Sequence, residues 1–325
     1  MRKIFIKLSK ILGFEIIDQS NFSSPTLNKE LNEELSIINK KSIILPLGEV
    51  KITRKVNSIL IVIRMNTNVE IWDQSKKRLF EQPKIEYSVR SINSLINTID
   101  YCLDKYPNLK IKTVIIDDHS NQENLDRIKK LIINKNIEIL PLEHKKFETI
   151  IKTQKTKETF SNLASLLQSF EVGKNQGNDL IFFVEDDYIH LKSTLEEMVT
   201  TYERIASQVG KDIFMCPSDY PYLYMNNEKT NILIGNRRHW RTIDKTLCTF
   251  LTSKRLIDRY WDNLKKTCED RHDPFEKHLN EIYQKEICIS PIKSLSLHLT
   301  NVNSSYGLSP FIDYKNLWEE NKVLD

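Results

Sequence analysis

Glycine is scarce in this chain, at 7 of 325 residues, and neither G-x-G-x-x-G after an apolar run nor G-x-x-x-x-G-K-[ST] occurs. Dinucleotide-binding and P-loop sites need such glycines to bring backbone close to phosphate, so both readings lose their main support. The five cysteines (Cys102, Cys216, Cys248, Cys268, Cys288) are scattered, with no C-x-x-C pair. That argues against a disulfide framework and a zinc site, and for reduced thiols in a cytoplasmic protein. No apolar run approaches the about 18 residues of a membrane span. Charge is nearly balanced, with 48 basic against 44 acidic residues. No basic stripe interleaved with aromatics is present, which excludes nucleic acid as the expected partner. Internal repeats and low-complexity tracts are also missing.

What is present is an ordinary globular composition, 40% hydrophobic and 28% charged, with a strong rhythm from residue 57 onward. "SILIVIR" (58–64), "IKTVIIDDHS" (111–120), "IEILPL" (137–142) and "DLIFFVEDD" (179–187) read as short strands buried on both faces. Helical spacing separates them, at Val89, Ile92, Leu95, Ile96 and Ile99, at "NQENLDRIKKLII" and at "FSNLASLLQSFEVGKN". Ser120-x-x-Glu123 and Ser193-x-x-Glu196 have capping-box spacing. Alternating strands and helices predict an α/β fold, a Rossmann-like, mostly parallel sheet with helices on both faces. Three segments follow: 1–56 as an N-terminal extension with one strand at "SIILPL", 57–210 as a ligand-binding half, and 211–325 as a second half. In the last, helices are expected at "SKRLIDRYWDNLKK" and "DPFEKHLNEIYQK" and a strand at "KSLSLHL".

Both unusual acid groups, Asp117-Asp118 and Glu185-Asp186-Asp187, fall at the carboxyl ends of predicted strands, where ligands of such sheets bind. Carboxylates at the rim of a core repel one another and need compensation. Capping of the next helix is assigned to Ser193, leaving a solvated loop or a divalent cation at Asp186 and Asp187. Hard cations such as Mg²⁺ and Mn²⁺ take carboxylate oxygen, often one or two carboxylates plus a substrate phosphate.

The ordered pair "VIIDDHS" and "FFVEDDYIH", the latter followed by "STLEEM", resembles the nucleotide-sugar-dependent glycosyltransferases of the GT-A fold, most closely the large inverting family 2. The resemblance covers about residues 57–205 and fades in the C-terminal third. It implies a nucleoside diphosphate sugar as donor, a saccharide or glycan hydroxyl as acceptor, and Mn²⁺ or Mg²⁺ as cofactor. By it, Asp118 would bond the nucleotide base, Arg64 and Asn66 would flank base or ribose, and Asp186 would meet ribose or the metal shell. Asp187 would bind the metal that bridges the diphosphate. The sequence departs from the family at "RMNTN" (64–68), where a Pro-Thr-Tyr-Asn-like turn is usual, so the nucleotide stays open.

In an inverting enzyme a carboxylate takes the acceptor proton, and the family keeps it near a helix start. Asp273 before Pro274 is the first candidate and Asp270 the second, although Asp273 would equally serve as an N-cap boxed with Glu276. "GNRRHWRTIDKT" gathers Arg237, Arg238, His239, Arg241 and Lys245, either a solvated basic loop or, through Arg237 and Arg241, a diphosphate clamp. His298 reads as a structural histidine or, as in many GT-A enzymes, a third metal ligand. Tyr220, Tyr222, Tyr224, Trp240 and Trp318 are either core or an acceptor groove. The segment "MRKIFIKLSKILGF" places Ile4, Phe5, Leu8, Ile11 and Leu12 on one helical face and its basic residues elsewhere. Such a helix either docks on its own domain or rests on an anionic inner membrane face, as surface-polysaccharide synthesis would require. Rival readings are a nucleotidyltransferase, a methyltransferase, or a binding module that has lost turnover. The two enzyme rivals want glycines after the first strand that this chain lacks.

Overall fold

The computed structural model describes residues 2–13, 36–44, 48–49, 51–68, 78–152, 156–225, 229–300, 304–309 and 311–323. Helix α1 (Arg2–Ile11) is followed by a small antiparallel sheet of β1 (Ser36–Ile37), β2 (Lys41–Ile44) and β3 (Gly48–Glu49). The strand expected at "SIILPL" overlaps β2, and residues 45–47 of that stretch lie outside the described set.

From Ser58 the helix–strand rhythm takes over, with β4 (Ser58–Met65), α2 (Lys84–Lys105), β5 (Lys110–Asp117), α3 (Gln122–Leu131) and β6 (Ile137–Pro141). Then come α4 (His144–Phe147), α5 (Lys157–Gln176) and β7 (Leu180–Glu185). These four strands pair in parallel, β4 with β5 and β7, and β5 with β6. They are apolar on both sides because helices cover both. Ile59, Ile61 and Ile63 share a core with residues of α2 and α3, while Leu60 and Val62 share one with Leu163, Leu167 and Phe170 of α5. Gly173 lets α5 approach β7, since a Cβ there would stand 2.6 Å from the Phe183 ring.

The second half contains β8 (Tyr188–His190), α6 (Thr194–Val209), β9 (Phe214–Met215), a 3₁₀ turn at Pro221–Tyr224, β10 (Ile232–Ile234), β11 (His239–Ile243) and β12 (Phe250–Ser253). It ends with α7 (Lys254–Arg259), α8 (Trp261–Glu269), α9 (Lys277–Tyr283), β13 (Cys288–Pro291), β14 (Ser296–His298) and α10 (Tyr314–Glu320). The main sheet has the order β10-β11-β13-β9-β12-β7-β4-β5-β6. Helices lie on both faces, as the alternation predicts. The sheet is parallel through β6-β5-β4-β7, and β12 then inserts antiparallel between β7 and β9 to make the remainder mixed. β8 and β14 form a separate antiparallel ribbon, joining a residue stretch just past β7 to one near the end of the chain.

Local details differ from the spacing rules. α3 is capped by Asn121, whose side chain accepts from the Asn124 N–H (2.8 Å), and Ser120 instead accepts from the Thr67 N–H (3.1 Å). Ser193 does sit at the N-cap of α6 but makes no side-chain cap bond. The single helix expected across "SKRLIDRYWDNLKK" is two, meeting at Tyr260. All five cysteines are free and buried.

Candidate active site

Strand register fixes where the end residues fall. Met65 is level with Asp117 and Arg64 with Glu185, so β4, β5 and β7 finish together. The residues just beyond, Asn66, Asp118 and Asp186, therefore meet at the carboxyl edge of the sheet. The Asn66 amide donates to Asp118 Oδ2 (2.9 Å), and its backbone N–H donates to Asp186 Oδ2 (3.3 Å).

Each of the three acids Glu185, Asp186 and Asp187 has its own basic partner. Glu185 pairs with the Arg64 guanidinium, which also donates to the Asn162 side chain of α5 (2.8 Å). Asp186 meets Lys84 Nζ at 2.6 Å and accepts from the Ser88 hydroxyl at 2.5 Å. Asp187 lies 3.3 Å from His298 Nε2 and accepts from the Thr300 hydroxyl at 2.7 Å. Burial disfavours the charged form of Arg64, but Glu185 outweighs it and holds the guanidinium above its usual range. Burial would likewise raise Asp187, yet His298 beside it keeps the carboxyl well below the usual range. His298 is in turn held up by Asp187 against its own burial.

One atom of this set is left over. Asp187 Oδ1 is buried and has no hydrogen-bond partner among the described residues. Such an orphan costs on the order of 1–3 kcal/mol, more when charged, so the position suits a cation. His298 Nδ1 lies 3.2 Å from the Tyr306 carbonyl, which can only accept. That nitrogen keeps its proton, and Nε2 faces the Thr300 hydroxyl (2.8 Å) and, beyond it, Asp187 Oδ2, the orientation in which metal-binding imidazoles are commonly held. Tyr188 stacks on the ring at 4.7 Å between centroids and fixes its plane. Asp187 and His298 thus fit a divalent cation. Both oxygens of Asp186 are already engaged by Lys84 and Ser88.

A second polar group stands at the end of β5. Asp118 Oδ1 is 2.9 Å from His144 Nε2 and 3.3 Å from His119 Nδ1, with the Ser161 hydroxyl at 3.4 Å. Asp118, His119 and His144 are close enough to hold a metal ion together. Each ligand atom is also accounted for by hydrogen bonds within the group. His119 adopts positive φ (57°), which turns its ring beside that of His144, 4.5 Å away.

The other expected residues lie elsewhere. Arg241 is buried against Asp219 and stacked over Tyr224, 4.4 Å from the ring centroid. Arg237 sits in the β10–β11 turn, where Glu197 accepts its backbone N–H (2.9 Å) and Glu196 lies 3.5 Å from its guanidinium. Asp270 follows α8 and accepts from the Arg271 N–H (2.8 Å). Asp273 is exposed and does not cap α9, whose N-cap is Glu276. The end of α8 is tied to the loop after α4 through the Lys152 N–H and the Glu269 carbonyl (2.7 Å), which brings the Asp270 region to the carboxyl side of the sheet. Trp240, Trp318, Tyr220 and Tyr222 are core residues, and Tyr224 is half exposed.

Sequence reasoning missed Lys84, Ser88, Thr300, His144 and Ser161. Only Lys84 carried a signal: a cation in the first turn after Pro83 opposes the helix dipole and calls for a nearby anion.

No protein-family model matches this chain, and no curated protein matches it. Among solved structures, TarS of S. aureus (residues 1–349) is similar at 14% identity and a TM-score of 0.35, over 62% of this chain and 48% of that one. GlyE, a glycosyltransferase of Streptococcus pneumoniae, is similar at 10% identity and a TM-score of 0.42, over 82% of this chain and 60% of that one. A UDP-glucose pyrophosphorylase complexed with UDP-glucose is similar at 10% identity and a TM-score of 0.39, over 75% and 93%. The chain spans about half the length of the TarS structure.

Proposed function

We propose that this protein is a nucleotide-sugar-dependent glycosyltransferase of the GT-A type, moving a sugar from a nucleoside diphosphate to a saccharide or glycan hydroxyl. The observation that carries this reading is Asp187 Oδ1, buried without a donor beside His298 at the rim where β4, β5 and β7 end together. Asp187 and His298 would hold Mn²⁺ or Mg²⁺, and an imidazole in the set favours Mn²⁺. Such an ion, when bound, neutralises negative charge growing on a leaving diphosphate. Asn66 and Asp118 present an amide and a carboxylate side by side, the complement of a base or ribose edge. Lys84 holds Asp186 rigid against the first turn of α2. Asp273, exposed and free of capping duty, is the first candidate to take the acceptor proton, with Asp270 second.

Purified protein mixed with nucleoside diphosphates and Mn²⁺ should melt roughly 5 °C higher at ligand about 100-fold above its Kd. Asp187→Asn, which keeps the acceptor for Thr300, should remove the metal-dependent part of that shift. Asp273→Asn should lower transfer at least about 100-fold while sparing donor binding. If no nucleoside diphosphate or nucleotide sugar binds, with or without metal, the reading fails. Release of nucleoside triphosphate from a nucleotide sugar and pyrophosphate would assign a nucleotidyltransferase instead.

A further inference from the structure

Five large apolar side chains of the N-terminal helical segment stand in solvent: Ile4, Phe5, Leu8, Ile11 and Leu12 are 64, 70, 53, 77 and 69% exposed. Their spacing puts them on one face. Ser9, which flanks that face by helical spacing, is buried. The helix therefore does not lay its apolar face on its own domain. A helix of ten residues is marginal in water by itself and draws its stability from covering such a face.

The sequence limits what the cover is. Residues 1–14 contain Arg2, Lys3, Lys7 and Lys10 and no acid. At 100° per residue the four bases fall on the remaining circumference, none of them between the apolar five. The Glu–Lys pairs that stabilise a solvated helix are missing. A second copy of this helix would set four positive charges against four. The complementary surface is apolar inside and negative outside. Gly13, at φ +81°, ends the helix far short of the about 20 residues needed to cross a bilayer.

We propose that α1 anchors the protein to the surface of an anionic lipid bilayer, with Ile4, Phe5, Leu8, Ile11 and Leu12 in the acyl boundary and the basic residues among the headgroups. The inference does not rest on the nucleotide-sugar reading. It is tested by sedimenting the full chain with vesicles of phosphatidylcholine alone and with vesicles containing phosphatidylglycerol. Partitioning onto the anionic vesicles should be about 100-fold stronger and should fall with added salt. Lys7→Ala should lower it about fivefold, and Leu8→Glu should abolish it while leaving the melting temperature unchanged. Equal partitioning onto both vesicle types, no binding to either, or wild-type binding by Leu8→Glu overturns the proposal. So does a dimer in solution that Leu8→Glu splits, which would make a second copy the cover.

Discussion

Arg64 illustrates how a residue can look like a ligand-binding group in sequence and be occupied in space. It ends a buried strand at the ligand edge, yet its guanidinium is taken up by Glu185 and Asn162. Among the described residues Glu185 pairs with no other cation, and Thr249 adds a weaker bond at 3.3 Å. Removing one partner of a largely buried pair leaves a charge without compensation, at a cost of about 3 kcal/mol. Arg64→Met should therefore lose about that much stability in urea unfolding, and Arg64→Met with Glu185→Gln should recover most of it. A loss below about 1 kcal/mol, in the range of exposed pairs, would return Arg64 to the nucleotide site. The same logic separates Asp187 from its neighbours. Its two partners, His298 and Thr300, both address Oδ2, so one oxygen of the three acids is left for a cation.

Helix α6 shows what whole elements do with buried acids. Glu203 accepts the backbone N–H groups of Val56 (2.7 Å) and Asn39 (2.8 Å), fastening the segment before β4 to the helix. Burial pushes its carboxyl up to about 7, although those two donors pull it down. The unfolded chain titrates near 4.3. Between these values the folded state holds the proton more tightly, so this contribution to stability is full below about 4.3 and is lost as pH rises through about 7. Glu203→Gln cannot titrate. The stability difference between wild type and Glu203→Gln should shift against wild type across that window, by up to about 3 kcal/mol. A difference that is flat with pH would mean that Glu203 is already ionised at the acid end. Legibility at this scale was uneven. The helices and the four parallel strands follow from period and β-branching, which are local. Caps were less legible, because Asn121 and Glu276 won positions that spacing alone assigned to Ser120 and Asp273.

The molecule as a whole is built so that its candidate site spans two stretches far apart in sequence. Acid groups at strand ends were readable, since a buried run ending in carboxylates is a local anomaly. Their partners were not, because Arg64–Glu185, Lys84–Asp186 and His298–Asp187 depend on pairings about 100 residues apart that no periodicity encodes. The antiparallel entry of β12 was equally invisible for the same reason. The β8–β14 ribbon makes the link: Leu297 pairs with Ile189, the Leu299 N–H donates to the Asp187 carbonyl (2.9 Å), and the Tyr188 and Tyr220 hydroxyls meet at 2.7 Å. An ion seated between Asp187 and His298 would clamp both strands of that ribbon at once. Hydrogen exchange reads this directly, because short strands open locally at lower cost than the core. With Mn²⁺ and a nucleoside diphosphate about 100-fold above Kd, amides of Tyr188–His190 and Ser296–His298 should slow together, by up to about 100-fold. Those of β10, the edge strand of the main sheet, should keep their rates. Asp187→Asn should cancel the protection in both strands, and protection confined to β8 would show that the ligand engages the first half alone and that His298 is a structural residue.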